Sequence, residues 1–314
     1  MLSLPFFEKL EGAQTVLLAG AGGGFDLFCG LPLYDMLRRA GKTVYLANLS
    51  FSGISAAKGN FLAPGLLEVM ADTIGSETYF PELHFCRCMR EQGEEVSVYA
   101  FQKTGVAPLA RAYTTLCQHL KPDALILADG GTDSLMRGDE FGLGTPVEDV
   151  ASILAAAVQE VPTKMLTCVG FGVDAFHGVC HAQYLEAVAD LIQREAYLGC
   201  WSLMKGTPEV EFYRGACEFV FRKMPAYPSI VSSSILSAID GHFGDYHTTS
   251  RTQTSKLFIN PLMAMVWSFE LEAVAQRLLY PEYLADTESV YEIVTVLDNF
   301  RERIKHKPFE SLPM

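Results

Sequence analysis

The sequence predicts an α/β fold: a Rossmann-like, mainly parallel sheet flanked by helices, with a more helical C-terminal region. Three observations predict it. Short runs rich in aliphatic and β-branched residues alternate with longer helix-like stretches, the pattern of a parallel sheet with crossover helices. The first run, Val16-Leu17-Leu18-Ala19, stops at Gly20-Ala21-Gly22-Gly23-Gly24 and is followed by Phe25-Asp26. Polar, glycine-containing segments then recur after later runs, where an open parallel sheet gathers its ligand.

Taken in order, strands are expected over Thr15–Gly20, Thr43–Asn48, Val96–Phe101, Ala124–Asp129 and Lys164–Gly170, with a further one over Ser229–Ser233. Continuous apolar runs of this kind suit strands covered on both faces. Helices are expected over Asp26–Ala40, Pro64–Ala71, Pro108–Leu120, Pro146–Val161 and Ala182–Glu195, and near the C-terminus over Pro261–Leu279 and Thr287–Lys305. Pro108 and Pro146 suit the first turn, where a missing N–H costs nothing. The alternation fades after Trp201. The chain therefore reads as one domain over 1–314, with 201–314 as a helical cap or interface subregion.

The 314 residues are 49% hydrophobic and 19% charged, enough for a large core and a buried subunit interface, so a homo-oligomer is expected. With 24 basic against 37 acidic residues the net charge is −13, which disfavours a nucleic-acid polymer as partner. No basic segment precedes a long apolar one at the N-terminus, and no apolar run reaches spanning length. Eight cysteines without a compact framework read as reduced thiols. A cytoplasmic protein without membrane contact, acting on a small anionic ligand, is the expectation.

Four segments carry the chemistry. Gly20, Gly22, Gly23 and Gly24 would free backbone N–H groups for a phosphate, aided by a helix starting near Asp26. The third glycine of a G-x-G-x-x-G fingerprint falls on Phe25, and Asn48 and Ser50 stand where a ribose-binding acid belongs, so hydride transfer is disfavoured. In Asp129–Glu140, the Gly130, Gly131 and Thr132 backbone would meet phosphate, Asp129 and Asp133 would orient hydroxyls or a hydrated cation, and Arg137 would pair with an anion. Asp174, His177 and His181 form a third group. Four residues apart, the two histidines would share one face of a helix. A single histidine in proton transfer is favoured over zinc.

Asp245, His247 and Arg251 read as a polar lid. His84, Cys86 and Cys88 would share a face on a strand but lack a fourth soft ligand, so they read as buried groups. The nucleophile elbow G-x-S-x-G and the Walker loop are absent. The catalytic set expected is Asp26, Asp133, Asp174 and His177; no metal is firmly implied, and the cofactor is left open.

Gly20–Asp26 together with Asp129–Glu140 resembles, over nearly the whole chain, the family known as domain of unknown function 1152, which implies a fold and no activity. Gly20-Ala21-Gly22 followed by Gly30-Leu31-Pro32-Leu33-Tyr34 is similar to the opening of sirtuin-type NAD-binding domains, although Asp35 stands where they carry arginine. That similarity implies a pocket holding a nicotinamide nucleotide without hydride transfer. The reading adopted is an enzyme acting on a nucleotide-like or phosphorylated-sugar ligand, as a glycosidic-bond hydrolase or transferase. The alternatives are a non-catalytic metabolite sensor and a metal-dependent hydrolase.

Overall fold

The computed structural model describes residues 3–255 and 257–312. The chain begins with α1 (Pro5–Leu10), β1 (Thr15–Gly20), α2 (Asp26–Cys29), α3 (Leu31–Arg39) and β2 (Thr43–Ser50). A hairpin, β3 (Asn60–Ala63) and β4 (Leu66–Val69), precedes α4 (Pro81–Glu91) and β5 (Val98–Gln102). Alternation then resumes with α5 (Val106–Leu120), β6 (Ala124–Gly130), α6 (Pro146–Ala157), β7 (Thr163–Val169), α7 (His181–Gln193) and β8 (Tyr197–Ser202). Next come α8 (Pro208–Lys223), α9 (Ile230–Ile239) and the short pair β9 (Gly244–Asp245) and β10 (Phe258–Ile259). The chain closes with β11 (Met265–Glu270), α10 (Leu271–Arg277), α11 (Pro281–Leu284) and α12 (Val290–Arg303).

Nine strands form one sheet in the order β3-β4-β5-β2-β1-β6-β7-β11-β8. Its centre, β5-β2-β1-β6-β7, is parallel, and β4 and β11 flank it antiparallel. The expected α/β architecture is therefore present. From β1 the chain first builds outward through β2 and β5, then returns to build the other side through β6 and β7. The direction reverses between β1 and β6, and such a switch point opens a crevice at the strands' carboxyl ends. Both strands end there in glycine, Gly20 and Gly130.

The period of two along each central strand divides the core between the two faces. Val16, Leu18, Ile126 and Ala128 pack into one apolar cluster, and Leu17, Ala19, Leu125 and Leu127 into the other. Among the described residues, no helix is long and apolar enough to cross a membrane. All eight cysteines are unpaired.

Several expected elements change type. Residues 64–71, expected helical, contain β4, in which Leu66, Leu67 and Val69 are fully buried. Burial stabilises by about 1.5–3 kcal/mol per large aliphatic side chain, whereas helix propensities differ by less than about 0.7 kcal/mol per residue. The sheet edge wins. Residues 261–279, also expected as one helix, contain β11, which inserts between β7 and β8 before the chain turns into α10. A short apolar run reads alike for a strand and a buried helix.

The strand expected over Ser229–Ser233 is the start of α9. Ser229 caps it by accepting the Ser232 N–H at 3.0 Å. The helix expected over Asp26–Ala40 breaks at Gly30, where a Cβ would stand 3.2 Å from the side chains of Ala128 and Leu18. Pro32 then opens α3. His84, Cys86 and Cys88 lie on α4, a helix, and all three are buried.

Asn48, at the end of β2, ties the glycine loop to this helix. Its Nδ2 donates to Gly24 O (2.9 Å) and to Glu82 Oε1 (2.8 Å). Burial pushes the Glu82 carboxyl from 4.5 up to about 7, partly offset by hydrogen bonds from Asn48, its own amide and Ser50. The folded chain thus binds this proton more tightly than the unfolded one. The resulting stabilisation is complete below about pH 4.5 and is lost as pH rises through about 7. Between pH 5 and pH 8.5, Glu82→Gln is expected to lose less stability than wild type, by about 2.5 kcal/mol at 1.36 kcal/mol per pK unit. Urea melts of both proteins at the two pH values check this, and parallel losses would reject the assignment.

Candidate active site at the strand ends

The crevice beside β1 and β6 is a cavity of about 530 Å³. Six acidic side chains line it: Asp26, Asp129, Asp133, Glu148, Asp149 and Asp174. They come from four places. Asp26 follows the loop after β1, Asp129 and Asp133 belong to the end of β6 and its turn, Glu148 and Asp149 open α6, and Asp174 follows β7. The sheet's register brings them together. A second cleft, of about 670 Å³, lies at the strands' amino ends between Thr114, Lys121 and Val158 and gathers no carboxylate cluster.

The glycines of the crevice leave room for these carboxylates. A Cβ on Gly22 would lie 2.5 Å from Asp149 Oδ1 and 2.7 Å from Asp26 Oδ2. One on Gly130 would meet Cys29 Sγ at 2.6 Å and Asp26 Oδ1 at 2.8 Å. One on Gly131 would meet Asp174 Oδ2 at 2.5 Å. The loop's amides are also engaged internally: Gly22 N–H donates to Asp26 Oδ2 (2.5 Å), Ala21 N–H to Ala128 O (2.9 Å) and Gly24 N–H to Leu49 O (3.1 Å). Gly23 and Gly24, at φ +86° and +60°, turn the chain beside the Phe51 ring. Gly20 packs against Asn48 and the start of α2.

The aspartates differ in their support. Asp133 Oδ2 accepts from Thr145 N–H (2.8 Å) and Thr145 Oγ1 (3.0 Å). Asp174 Oδ2 accepts from Thr132 N–H at 2.7 Å, and Asp129 Oδ2 from Ser134 Oγ at 2.5 Å. Asp149 has none: both its oxygens are enclosed without a hydrogen-bond partner among the described residues. Burial raises all five carboxyl pKa values. The charge of Asp133 raises the other four further, while the two Thr145 bonds and nearby His177 favour the ionised form of Asp133 itself.

Of the expected site residues, Asp26, Asp133, Asp174, His177, Gly22, Gly23, Gly24 and Gly130 line this cavity. Thr132 and Gly131 stand just behind it, holding and accommodating Asp174. Arg137 lies elsewhere. It forms a two-pronged pair with Asp139 (2.9 and 2.8 Å), and its N–H bonds Glu140.

His177 and His181 do not share a helix face. His177 ends a 3-10 turn, Gly178 reverses the chain at φ +86°, and His181 starts α7 with its ring stacked on Phe171. In the segment expected as a lid, Asp245 bonds His247 Nε2 (3.0 Å), His247 Nδ1 meets Thr252 Oγ1 (2.9 Å), and Arg251 reaches the cavity.

Asp149, Glu148, Phe51, Tyr79 and Tyr227 were not singled out in the sequence. Asp149 carried a usable signal, since Thr145-Pro146 marks a helix start and places Asp149 in its first turn at the sheet's carboxyl end. The three aromatic residues carried none, because each lies in a loop whose path depends on distant packing.

Gly30–Tyr34, the stretch similar to sirtuins, opens α3; Leu31, Pro32, Leu33 and Tyr34 are buried and Asp35 pairs with Arg39 at 2.8 Å. No curated protein and no solved structure matches the chain. A family model described as protein of unknown function (DUF1152) matches residues 70–301. That span holds Asp129, Asp133, Asp149 and Asp174 within the sheet and helices that bring them together, and the chain belongs to this family.

Proposed function

We propose that the chain is an enzyme that cleaves or transfers at a glycosidic bond of a small nucleotide-like or phosphorylated-sugar ligand. The observation that carries this reading is the gathering of buried aspartates, with unequal hydrogen-bond support, around one cavity. Chemistry through an oxocarbenium-like centre needs one carboxyl held protonated and another held anionic, and unequal environments separate those states. Asp133, with two donors from Thr145 and His177 beside it, suits the anionic role of activating water or steadying positive charge. Asp174, pushed up by burial and by Asp133, suits the protonated role of general acid.

Phe51, Tyr79 and Tyr227 give the cavity an aromatic lining suited to a base or sugar, and Arg251, whose Nη1 donates to Pro228 O (2.9 Å), brings a cation for an anionic group. The net charge of −13 fits a small ligand better than a nucleic-acid polymer, and eight free thiols fit a cytoplasmic protein. The large apolar fraction fits a homo-oligomer.

The test incubates full-length protein with a panel of nucleosides, nucleotides and sugar phosphates, with and without Mg²⁺ or Mn²⁺, and resolves the products chromatographically. Release of a free base or sugar from at least one of them is expected. A ligand that raises the melting temperature but is recovered intact would replace catalysis with sensing. Neither binding nor turnover across the panel would overturn the reading.

A further inference from the structure

Asp26, Asp129 and Asp149 each offer a carboxylate oxygen, and these three oxygens lie within 4.8 Å of one another. All three residues are buried or half-buried, with Asp129 and Asp149 only 2% exposed. Carboxylates crowd like this in two circumstances: they share protons, or they share a cation. Proton sharing needs each carboxyl to find a hydrogen-bond partner.

Asp26 and Asp129 have theirs, from Gly22 N–H and Ser134 Oγ. Asp149 does not. Both its oxygens are sealed from solvent and meet neither donor nor acceptor among the described residues, although the side chain lines the cavity. Leaving a buried polar group unsatisfied is expensive, and it is worse for one that can ionise. Space beside it is left open by Gly22, where a Cβ would press on the carboxylate ends of both Asp149 (2.5 Å) and Asp26 (2.7 Å).

We propose that Asp26, Asp129 and Asp149 form a binding site for one hard divalent cation. The donor set selects the class. Three carboxylates with no thiolate or imidazole among them suit Mg²⁺, Mn²⁺ or Ca²⁺ rather than zinc or copper. Two ligands of one such ion stand no more than twice the bond length apart, about 4–5 Å for bonds of 2.0–2.6 Å, which matches the spacing of the three oxygens. The three come from the β1 loop, the end of β6 and the first turn of α6, so the ion would tie together the elements that define the crevice.

A cation here also resolves a conflict in the cavity's charge. An anionic ligand would otherwise share the cavity with six acidic side chains and the single guanidinium of Arg251. A bound divalent ion offsets two of those charges and presents its remaining coordination positions to the ligand's oxygens. The site shares its cavity with the proposed active site but stands on the unpartnered Asp149, whichever reaction the cavity carries.

The test strips full-length protein with chelator, removes the chelator, and titrates Mn²⁺ alone, with free Mn²⁺ followed by electron paramagnetic resonance and no substrate present. One saturable site, displaced by Mg²⁺ or Ca²⁺ and accompanied by a rise in melting temperature, is expected. Asp149→Asn and Asp26→Asn should each weaken Mn²⁺ binding at least about tenfold, since losing even an outer-shell partner of a metal ligand costs about 10–100-fold. Without metal, each should melt at or above the wild-type temperature, because each relieves crowding of like charge. Absence of saturable binding up to millimolar Mn²⁺, or affinity unchanged in both variants, would overturn the proposal. Neither result depends on turnover, so failure of the cation site and failure of the enzymatic reading are separately visible.

Discussion

Asp133→Asn is expected to lower turnover roughly 100- to 10,000-fold, the range for loss of a positioned acid or base, with KM moving by less than about tenfold. The fold should tolerate the change. Asp133 is buried and accepts two hydrogen bonds from Thr145, and an asparagine carbonyl can accept both. What disappears is the negative charge. That charge is the largest Coulombic contribution raising Asp26, Asp129, Asp149 and Asp174.

The substitution therefore carries a second signature that a merely structural residue would not leave. With the anion gone, Asp174 should lose its proton at lower pH. The alkaline limb of the residual activity should move to lower pH, because a general acid fails once deprotonated. A pH–rate profile of the variant on the substrate found in the panel reads both effects. Full activity with an unchanged profile would remove Asp133 from the chemistry.

Gly105→Ala should produce the largest loss of stability. The residue precedes α5, and a Cβ there would collide with the backbone carbonyl of Thr287 and come within 2.6 Å of the Glu288 carbonyl carbon. Backbone on both sides leaves nothing flexible to give way. The two segments are locked together because α5 lacks a local cap. Instead Val106 N–H donates to Thr287 Oγ1 (3.0 Å) and Ala107 N–H to Thr287 O (3.0 Å), from a segment about 180 residues away in the chain.

Prising them apart loses both bonds and part of the packing of α11 and α12. A cost of about 3 kcal/mol is expected for overpacking of this kind, equivalent to a fall in melting temperature of about 6–12 °C at 2–4 °C per kcal/mol. Calorimetry of the variant checks this. A shift of under about 2 °C would mean that the C-terminal segment moves away without penalty.

The candidate site was partly legible. The glycine loop, Asp26, Asp133, Asp174 and His177 could be placed because strand ends gather in a parallel sheet, so polar residues after successive strands become neighbours whatever the loops do. The use made of Gly22 and Gly130 was not legible. In sequence they resemble an amide cradle for a phosphate; in the fold they clear space for carboxylates that arrive from α2 and α6. Which neighbour fills the space beside a glycine depends on how helices cross the sheet. Arg137 shows the same limit from the other side, since its nearest carboxylate, two residues on, claimed it before any ligand.

By itself the sequence pointed to the five parallel strands β1, β2, β5, β6 and β7, because continuous apolar runs separated by helix-like stretches fit a parallel sheet covered on both faces. It also placed polar, glycine-containing segments at the strand ends, while the strand order that opens a crevice between β1 and β6 came from the tertiary structure. Tertiary structure alone decided that residues 66–69 and 265–270 join the sheet as β4 and β11, that Thr287 caps α5, and that Asp149 completes the carboxylate cluster. The physical reason is common to all of these. Each rests on burial or hydrogen bonding against a partner far away in the chain, and local periodicity and propensity, worth tenths of a kcal/mol per residue, carry no record of that partner.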